Sequence, residues 1–350
     1  MKILVTGGAG FIGSHTCLAL IQKGYEVLVV DSYVNSQKQS LEKLNDILKL
    51  NSGIRNVDIE ITKADIRDEH ILDKIFSYHQ HLGKPIQAVI HFAGLKSVEE
   101  SVQYPLNYWD VNVNGSINLL RVMHRYKCKT IVYSSSATIY GFSNDITIKE
   151  NTEIKPNNPY GRTKVAVENL LNDIYDSQPD KWRIANLRYF NPIGAHPSGL
   201  IGESPIGVPS NIFPYLTQVA SGKRKKLTIF GNDWPTSDGT AIRDYIHVMD
   251  LAEGHISTLE YLLKNENQII NLNLGTGLGT SVLELLHTFE RVNDIKISFE
   301  VGARRLGDSC SVVANNTLAT SCLDWSPKRD LDEMCIDGWK WQTLNPEGYK

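Results

Sequence analysis

Short apolar runs alternate with amphipathic stretches through the first two-thirds of the chain. The β-rich runs are Lys2–Thr6, Glu26–Val30, Val57–Ile61, Ala88–Phe92, Thr130–Ser134 and Ile184–Tyr189. They are nearly continuous in apolar residues, as strands buried on both faces are. Helical patterns such as Ile12–Lys23 and Asp68–His81 separate them. This alternation predicts an α/β fold, a Rossmann-like doubly wound parallel sheet with helices on both faces. From about residue 192 the pattern loosens. "NPIGAHPSGLIGESPIGVPSN" is rich in Gly, Pro and Ser and reads as irregular chain. Shorter elements follow, among them Leu227–Phe230, Asp250–Leu263 and Ser281–Phe289. The expected division is a sheet domain over residues 1–190 and a smaller mixed α/β C-terminal lobe over 191–350, with segments crossing back to the sheet. No linker parts the two, and pockets favour such interfaces.

Composition narrows the partners. A chain of 350 residues is long enough for a large core. A formal net charge of -3 creates no global field toward nucleic acid or membrane. The one compact basic run, Lys223–Lys226, follows Gly222 and reads as a solvated turn. No stretch approaches the ~18 apolar residues of a membrane span. The apolar run at the N-terminus is too short for a signal peptide and breaks at Gly7 and Gly8. Cys17, Cys128, Cys310, Cys322 and Cys335 are scattered and make no CxxC. Reduced thiols in a cytoplasmic protein are the expectation, with no metal site.

"ILVTGGAGFIGSH" holds two overlapping glycine patterns. Gly8, Gly10 and Gly13 make GxGxxG, and Gly7, Gly10 and Gly13 make GxxGxxG. The run follows a predicted strand and opens a predicted helix, where glycines let the backbone approach a pyrophosphate at the helix N-terminus. The second strand run is closed by Asp31, eighteen residues after Gly13. An acid there accepts from a ribose 2′-hydroxyl and repels a 2′-phosphate, which favours NAD over NADP. Asp65 follows the third strand and suits the adenine end. "HFAG", residues 91–94, follows the fourth, with Lys96 two residues on, placed for the nicotinamide ribose.

The fifth strand run leads into "VYSSSATIYG", with three serines at its C-terminal end. Ser136 is a candidate hydrogen-bond donor to a substrate oxygen, although serines there also satisfy local backbone. Tyr160 lies twenty-four residues further on, and Lys164 four beyond it. Asn158 is suited to the N-cap and Pro159 to the first helical position, so Tyr160 and Lys164 share a face near a helix start. Such pairs occur on ordinary helices. Context gives this one its weight.

"TGGAGFIGS", "HFAGLKSV", "SSSATIYG", "PYGRTK", "LRYFNPIGAHPSG" and "FGNDWPTSDGTAIRDYIHVMDLA" together resemble the extended short-chain dehydrogenases/reductases, and within them the UDP-galactose 4-epimerase type. The resemblance runs from residue 2 to "WQTLNPEGY". It implies interconversion of UDP-sugars at C4 through a 4-keto sugar on retained NAD. It assigns Ser136, Tyr160 and Lys164 to catalysis. Tyr160 would take the proton of the sugar 4-hydroxyl, with its pKa lowered from about 10 by Lys164 and the nicotinamide charge. Phe11, Ile12, Asn35, Ser36, Ile66, Phe92, Ala93, Gly94 and Tyr189 would join the cofactor contacts. Asn191 and Asn211 would meet the diphosphate, with Ile212 beside them. Arg243 and Arg305 would clamp phosphate with planar forks. Asp308 would take the uridine ribose, and Phe230 with Thr228 would line the uracil. Asn211 serves equally as an N-cap and Arg305 as a surface ion pair. The resemblance also implies a homodimer, through helices around 98–126 and 159–176.

The sequence departs from UDP-glucose-restricted relatives after Asp308. They carry a bulky Tyr four residues on, where this chain has Val312. A small residue there implies room for an N-acetyl group at C2. The expectation is therefore UDP-GlcNAc/UDP-GalNAc together with UDP-Glc/UDP-Gal, the alternative being the second pair only. A nucleotide-sugar 4,6-dehydratase ranks next. It needs an acid after the serine segment, where Ala137 and Thr138 stand. A non-enzymatic NAD sensor comes last, because it has no use for Tyr160, Lys164 and Ser136.

Overall fold

The computed structural model describes residues 1–52, 59–143, 145–305 and 307–349. Six strands form in chain order: β1 (Lys2–Thr6), β2 (Glu26–Asp31), β3 (Glu60–Lys63), β4 (Ile86–His91), β5 (Thr130–Ser136) and β6 (Arg183–Tyr189). Val57 and Asp58, expected to open the third strand, lie outside the described residues. Short strands follow: β7 (Asn191–Ile193), β8 (Leu227–Phe230), β9 (Ile242–Arg243) and β10 (Tyr245–His247). After them come β11 (Gln268–Leu274), β12 (Thr280–Ser281), β13 (Phe299–Gly302) and β14 (Ser311–Val312).

The main sheet is parallel, with seven strands in the order β11-β6-β5-β4-β1-β2-β3. The order reverses between β1 and β4, which opens a crevice at the strand C-terminal ends. The seventh strand, β11, comes from the C-terminal part of the chain. Its run QIINLNL carries Asn271 and Asn273, which hide the apolar pattern. Both asparagines are satisfied inside the fold: Asn186 Nδ2 donates to Asn271 Oδ1 at 2.8 Å, and Tyr140 Oη donates to Asn273 Oδ1 at 2.7 Å.

The helices are α1 (Phe11–Gln22), α2 (Gln39–Ser52), α3 (Glu69–His81), α4 (Val98–Gln103), α5 (Pro105–Tyr108) and α6 (Gly115–Arg125). Then come α7 (Pro159–Ser177), α8 (Ile212–Ala220), α9 (Val248–Lys264), α10 (Val282–Asn293), α11 (Thr317–Cys322) and α12 (Leu331–Leu344). Helix α9 packs against α1, so the later chain buttresses the glycine-rich turn. One core layer, built on Ile3, Val5 and Leu18, also takes in Leu251 and Leu259 of α9. The other holds Leu4, Leu119, Val167 and Leu171.

The segment 98–126, expected as one helix, is broken. Pro105 lacks the N–H needed to continue α4. A π-helical turn, Trp109–Asn114, then leads into α6. Buried Asn112 sits in that turn. Its Oδ1 accepts from Leu95 N at 2.8 Å and its Nδ2 donates to Thr163 Oγ1 at 3.0 Å. The bulge thus ties the loop before Lys96 to the start of α7, a use to which π-turns are often put.

Candidate active site

A cleft of about 690 Å³ runs from Asp31 and Asp65 at one end, past Tyr160 and Lys164, to Asn191 and Asn211 at the other. The β1–α1 turn forms its floor. Gly7 has φ +70°, and a Cβ there would come within 2.7 Å of Ala93 N. A Cβ on Gly13 would lie 2.3 Å from Gly7 O. Both positions therefore require glycine. Gly10 caps α1 without a side-chain bond, which leaves the first N–H groups of the helix facing the cleft, as a pyrophosphate requires. The Asp31 carboxylate is fixed by Ala9 N and Tyr33 N at 2.9 Å and by Ser36 Oγ at 2.7 Å. These residues fit the two phosphates and adenine ribose of a dinucleotide.

All the cofactor positions named from the sequence line this one cleft. Asn35, Ser36 and Ile66 do so at the Asp31 end, and Phe11, Ile12 and Gly13 on the floor. Phe92, Ala93, Gly94, Lys96 and Tyr189 face the middle. Two carry partners that the sequence did not signal. Asp65 is held by Arg67 through Nε at 3.1 Å and Nη2 at 2.7 Å. Lys96 Nζ pairs with Glu203 Oε1 at 2.8 Å.

Helix α7 places the proton-transfer candidates. Asn158 caps it by accepting from Gly161 N at 2.8 Å, and Pro159 takes the first position. Lys164 Nζ donates to Ser134 O at 2.5 Å and lies 5.7 Å from the Tyr160 ring centroid. Ser136 Oγ accepts from Thr138 N at 3.2 Å and from Thr138 Oγ1 at 2.9 Å. The three serines do not act alike. Ser135 turns its hydroxyl to Glu168 of α7 at 2.5 Å. Ser136 lines the cleft with Tyr160 and pulls its phenol pKa down.

The expected lowering of the Tyr160 pKa is not what the protein alone produces. Burial pushes the phenol up to about 12, against a smaller downward pull from the Ser136 hydrogen bond. Burial also pushes Lys164 down to about 8, with Glu168 working the other way. Lys164 is engaged by a backbone carbonyl, so desolvation dominates over its charge at Tyr160.

Asn191, Asn211 and Ile212 line the far end of the cleft. Asn211 sits at the N-cap of α8 but makes no cap bond with its side chain. Its amide donates to Glu203 Oε1 at 3.4 Å instead. Thr228, Phe230, Arg243, Arg305, Asp308 and Val312 do not line the cleft. Thr228 and Phe230 lie on β8, Arg243 on β9 and Val312 on β14, with Arg305 and Asp308 in the chain between β13 and β14. Arg243 forms an ion pair with Asp308 and donates to Ser309 O at 3.0 Å. The Arg305 guanidinium stacks 3.9 Å from the Phe230 ring centroid. Thr228 Oγ1 donates to Glu300 at 3.2 Å. Pairing of β14 with β9 sets Val312 opposite Arg243, and Val312 packs against a cluster that includes Tyr140 and Phe190.

The chain matches the family described as GDP-mannose 4,6 dehydratase over residues 4–337. It is 47% identical over 350 residues to a UDP-glucose 4-epimerase of Bacillus subtilis, covering 100% of this chain and 99% of that one. The crystal structure of a UDP-glucose-4-epimerase from Stenotrophomonas maltophila, with bound NAD and formylated UDP-arabinopyranose, has TM-score 0.92 and 45% identity, covering 99% of both chains. A UDP-glucose 4-epimerase from Bifidobacterium longum, in complex with NAD+ and UDP, has TM-score 0.92 and 41% identity over 100% of both chains.

Proposed function

Because this chain belongs to the UDP-glucose 4-epimerase family of extended short-chain dehydrogenases/reductases, and is thereby an NAD-dependent UDP-sugar 4-epimerase, we propose that Tyr160, Lys164 and Ser136 carry its proton chemistry. The reaction interconverts UDP-glucose and UDP-galactose. The observation that supports these roles is the meeting of Tyr160, Lys164 and Ser136 in the middle of one cleft, between the glycine turn and Asn191. When bound, NAD would serve as the hydride acceptor and donor for C4 and would bring a positive charge near the phenol. Tyr160 takes the proton of the 4-hydroxyl as its oxygen becomes a ketone. Ser136 holds that oxygen. Lys164 stabilises the phenolate as an ammonium. Positive charge is what Tyr160 needs, because burial alone holds it protonated. Gly7, Gly10, Gly13 and Asp31 would hold the cofactor.

Residues 1–190 serve mainly the cofactor and 191–350 the UDP-sugar. Asn191 and Asn211 would approach the diphosphate, and Arg243, Arg305, Asp308 and Phe230 the uridine. The UDP-glucose/UDP-galactose pair has the support of the relatives. Extension to N-acetylated sugars rests on Val312 alone. A homodimer is supported by the exposed apolar side chains of Val102 and Leu106, and a cytoplasmic location by cysteines that are all free. Among the described residues no helix is long and apolar enough to cross a membrane. The test is turnover of UDP-glucose with NAD present, the product resolved from its 4-epimer. UDP-galactose is the expected product, and its absence from protein carrying NAD would overturn the proposal.

A further inference from the structure

Behind Tyr160 and Lys164 lies a buried charged row that the proton chemistry does not use. Glu168 stands one turn beyond Lys164 on α7 and is 2% exposed. Its carboxylate accepts from Ser135 Oγ at 2.5 Å and from Arg188 Nε at 3.1 Å and Nη2 at 2.7 Å. Arg188, equally buried, also donates through Nη1 to Tyr140 Oη at 2.9 Å and to Glu150 O at 2.8 Å. Ser135, Arg188 and Asn273 are in register across β5, β6 and β11. The sheet therefore presents a polar row beneath the catalytic helix.

A buried ion pair is a poor source of net stability, because desolvation offsets its attraction. Its geometry has a clearer use. Helix α7 is pinned to β5 by two rungs from adjacent strand residues: Lys164 Nζ to Ser134 O, and Ser135 Oγ to Glu168. Two rungs fix the helix in both translation and rotation. One turn back from the first rung, Tyr160 then falls beside Ser136. The charges also matter. The groups facing the Lys164–Tyr160 pair are Glu168 of α7, Tyr133 of β5 with its ring centroid 4.9 Å from Lys164 Nζ, Tyr108 of α5 with its ring 6.5 Å from that of Tyr160, His91 of β4, and Tyr189 of β6. Arg188 of β6 faces Glu168. Burial holds His91 neutral and Tyr108, Tyr133 and Tyr189 protonated. Glu168 is thus the acid of the set.

We propose that Glu168 is a positioning residue for the proton-transfer pair, fixing Lys164 and Tyr160 in register with Ser136 and placing a carboxylate one helical turn from the Lys164 ammonium. Arg188 and Ser135 hold Glu168 in that place. The inference rests on the roles given above to Tyr160 and Lys164.

The test compares the NAD-bound wild type with E168Q and with E168Q/R188Q, which leaves no guanidinium unpaired, using UDP-glucose as substrate. In whichever variant folds, kcat near pH 8 should fall at least about ten-fold while KM stays within about two-fold, since misplacement and not binding is the defect. In E168Q the basic limb of kcat should move about one pH unit toward acid, because loss of the anion beside the remaining guanidinium disfavours the ammonium. E168D should recover part of the rate. If both Gln variants fail to fold, S135A removes one rung and no charge, and should lower kcat about three-fold with the melting temperature within about 2 °C. A folded E168Q whose pH profile superimposes on the wild type, a folded E168Q/R188Q with unchanged kcat, or S135A with unchanged kcat, would overturn the proposal. K164M separates the two levels. Wild-type turnover there sinks the pair itself. Lost turnover there, beside an unaltered E168Q profile, sinks only Glu168.

Discussion

Tyr160 and Lys164 stand one helical turn apart, and burial pushes each away from the ionised state that proton transfer uses. In the proposed roles the site is poised rather than pre-ionised, and the positive charge of NAD would complete it. Val312 poses the second question at this scale. A tyrosine there would fill the space beside Arg243. Val312→Tyr should abolish any turnover of UDP-GlcNAc and leave UDP-glucose turnover within about three-fold, a discrimination of the size expected when bulk alone blocks a pocket. Equal loss on both substrates, measured as kcat/KM, would sink the C2 reading. Tyr160, Lys164, Ser136 and Asp31 were legible because each sits at a fixed offset from a strand end or a helix start. Glu203 and Glu168 were not, since their meaning comes from partners across the fold, and Arg67, beside Asp65 in sequence, is held in place by Asp110 forty-three residues on. Glu203 reaches Lys96 over 107 residues. Glu168 had one local signal, its i+4 spacing from Lys164.

At the scale of elements, α7 and α1 matter most. The start of α7 was readable because Asn158 and Pro159 are local cap signals, and both hold in the fold. The start of α1 depends on a close approach. Gly13→Ala would drive a methyl onto Gly7 O at 2.3 Å, backbone against backbone. The variant should lose bound NAD, read from its absorbance after purification, and melt several degrees lower by about 1–3 kcal/mol. Full NAD content with an unchanged melting temperature would contradict the account of the turn. Helices α4 and α5 present Val102 and Leu106, which are 62% and 82% exposed. If they form the dimer face, Leu106→Glu should convert a dimeric wild type to monomer in sedimentation velocity. A wild type that sediments as a monomer would remove the dimer from the proposal. The π-turn and β11 escaped the sequence for physical reasons. An i→i+5 bulge leaves no hydrophobic period of its own. Strand β11 looks polar because Asn273 joins the row beneath α7.

The whole molecule binds its two parts through α9 and β11, so the cleft lies within a single packed body rather than across a linker. The histidines of that body have a consequence for acid stability. Burial lowers His15 and His91 to about 3 and His196 and His255 to about 4. All four are neutral in the fold above their ordinary value near 6.5. As pH falls below 6.5 the unfolded chain takes up protons that the fold refuses. Stability present above pH 6.5 is therefore lost progressively toward pH 3–4. The melting temperature by calorimetry should fall steadily from pH 6.5 to 5, and a flat profile over that range would contradict these assignments.

The most direct measurement is the rate of UDP-galactose formation from UDP-glucose by the wild type and Tyr160→Phe, both with NAD bound and both shown to be folded. The account predicts a fall in kcat of about 10²–10⁴-fold, the worth of a positioned acid–base group, with little change in KM. A Tyr160→Phe protein that turns over at the wild-type rate would contradict it.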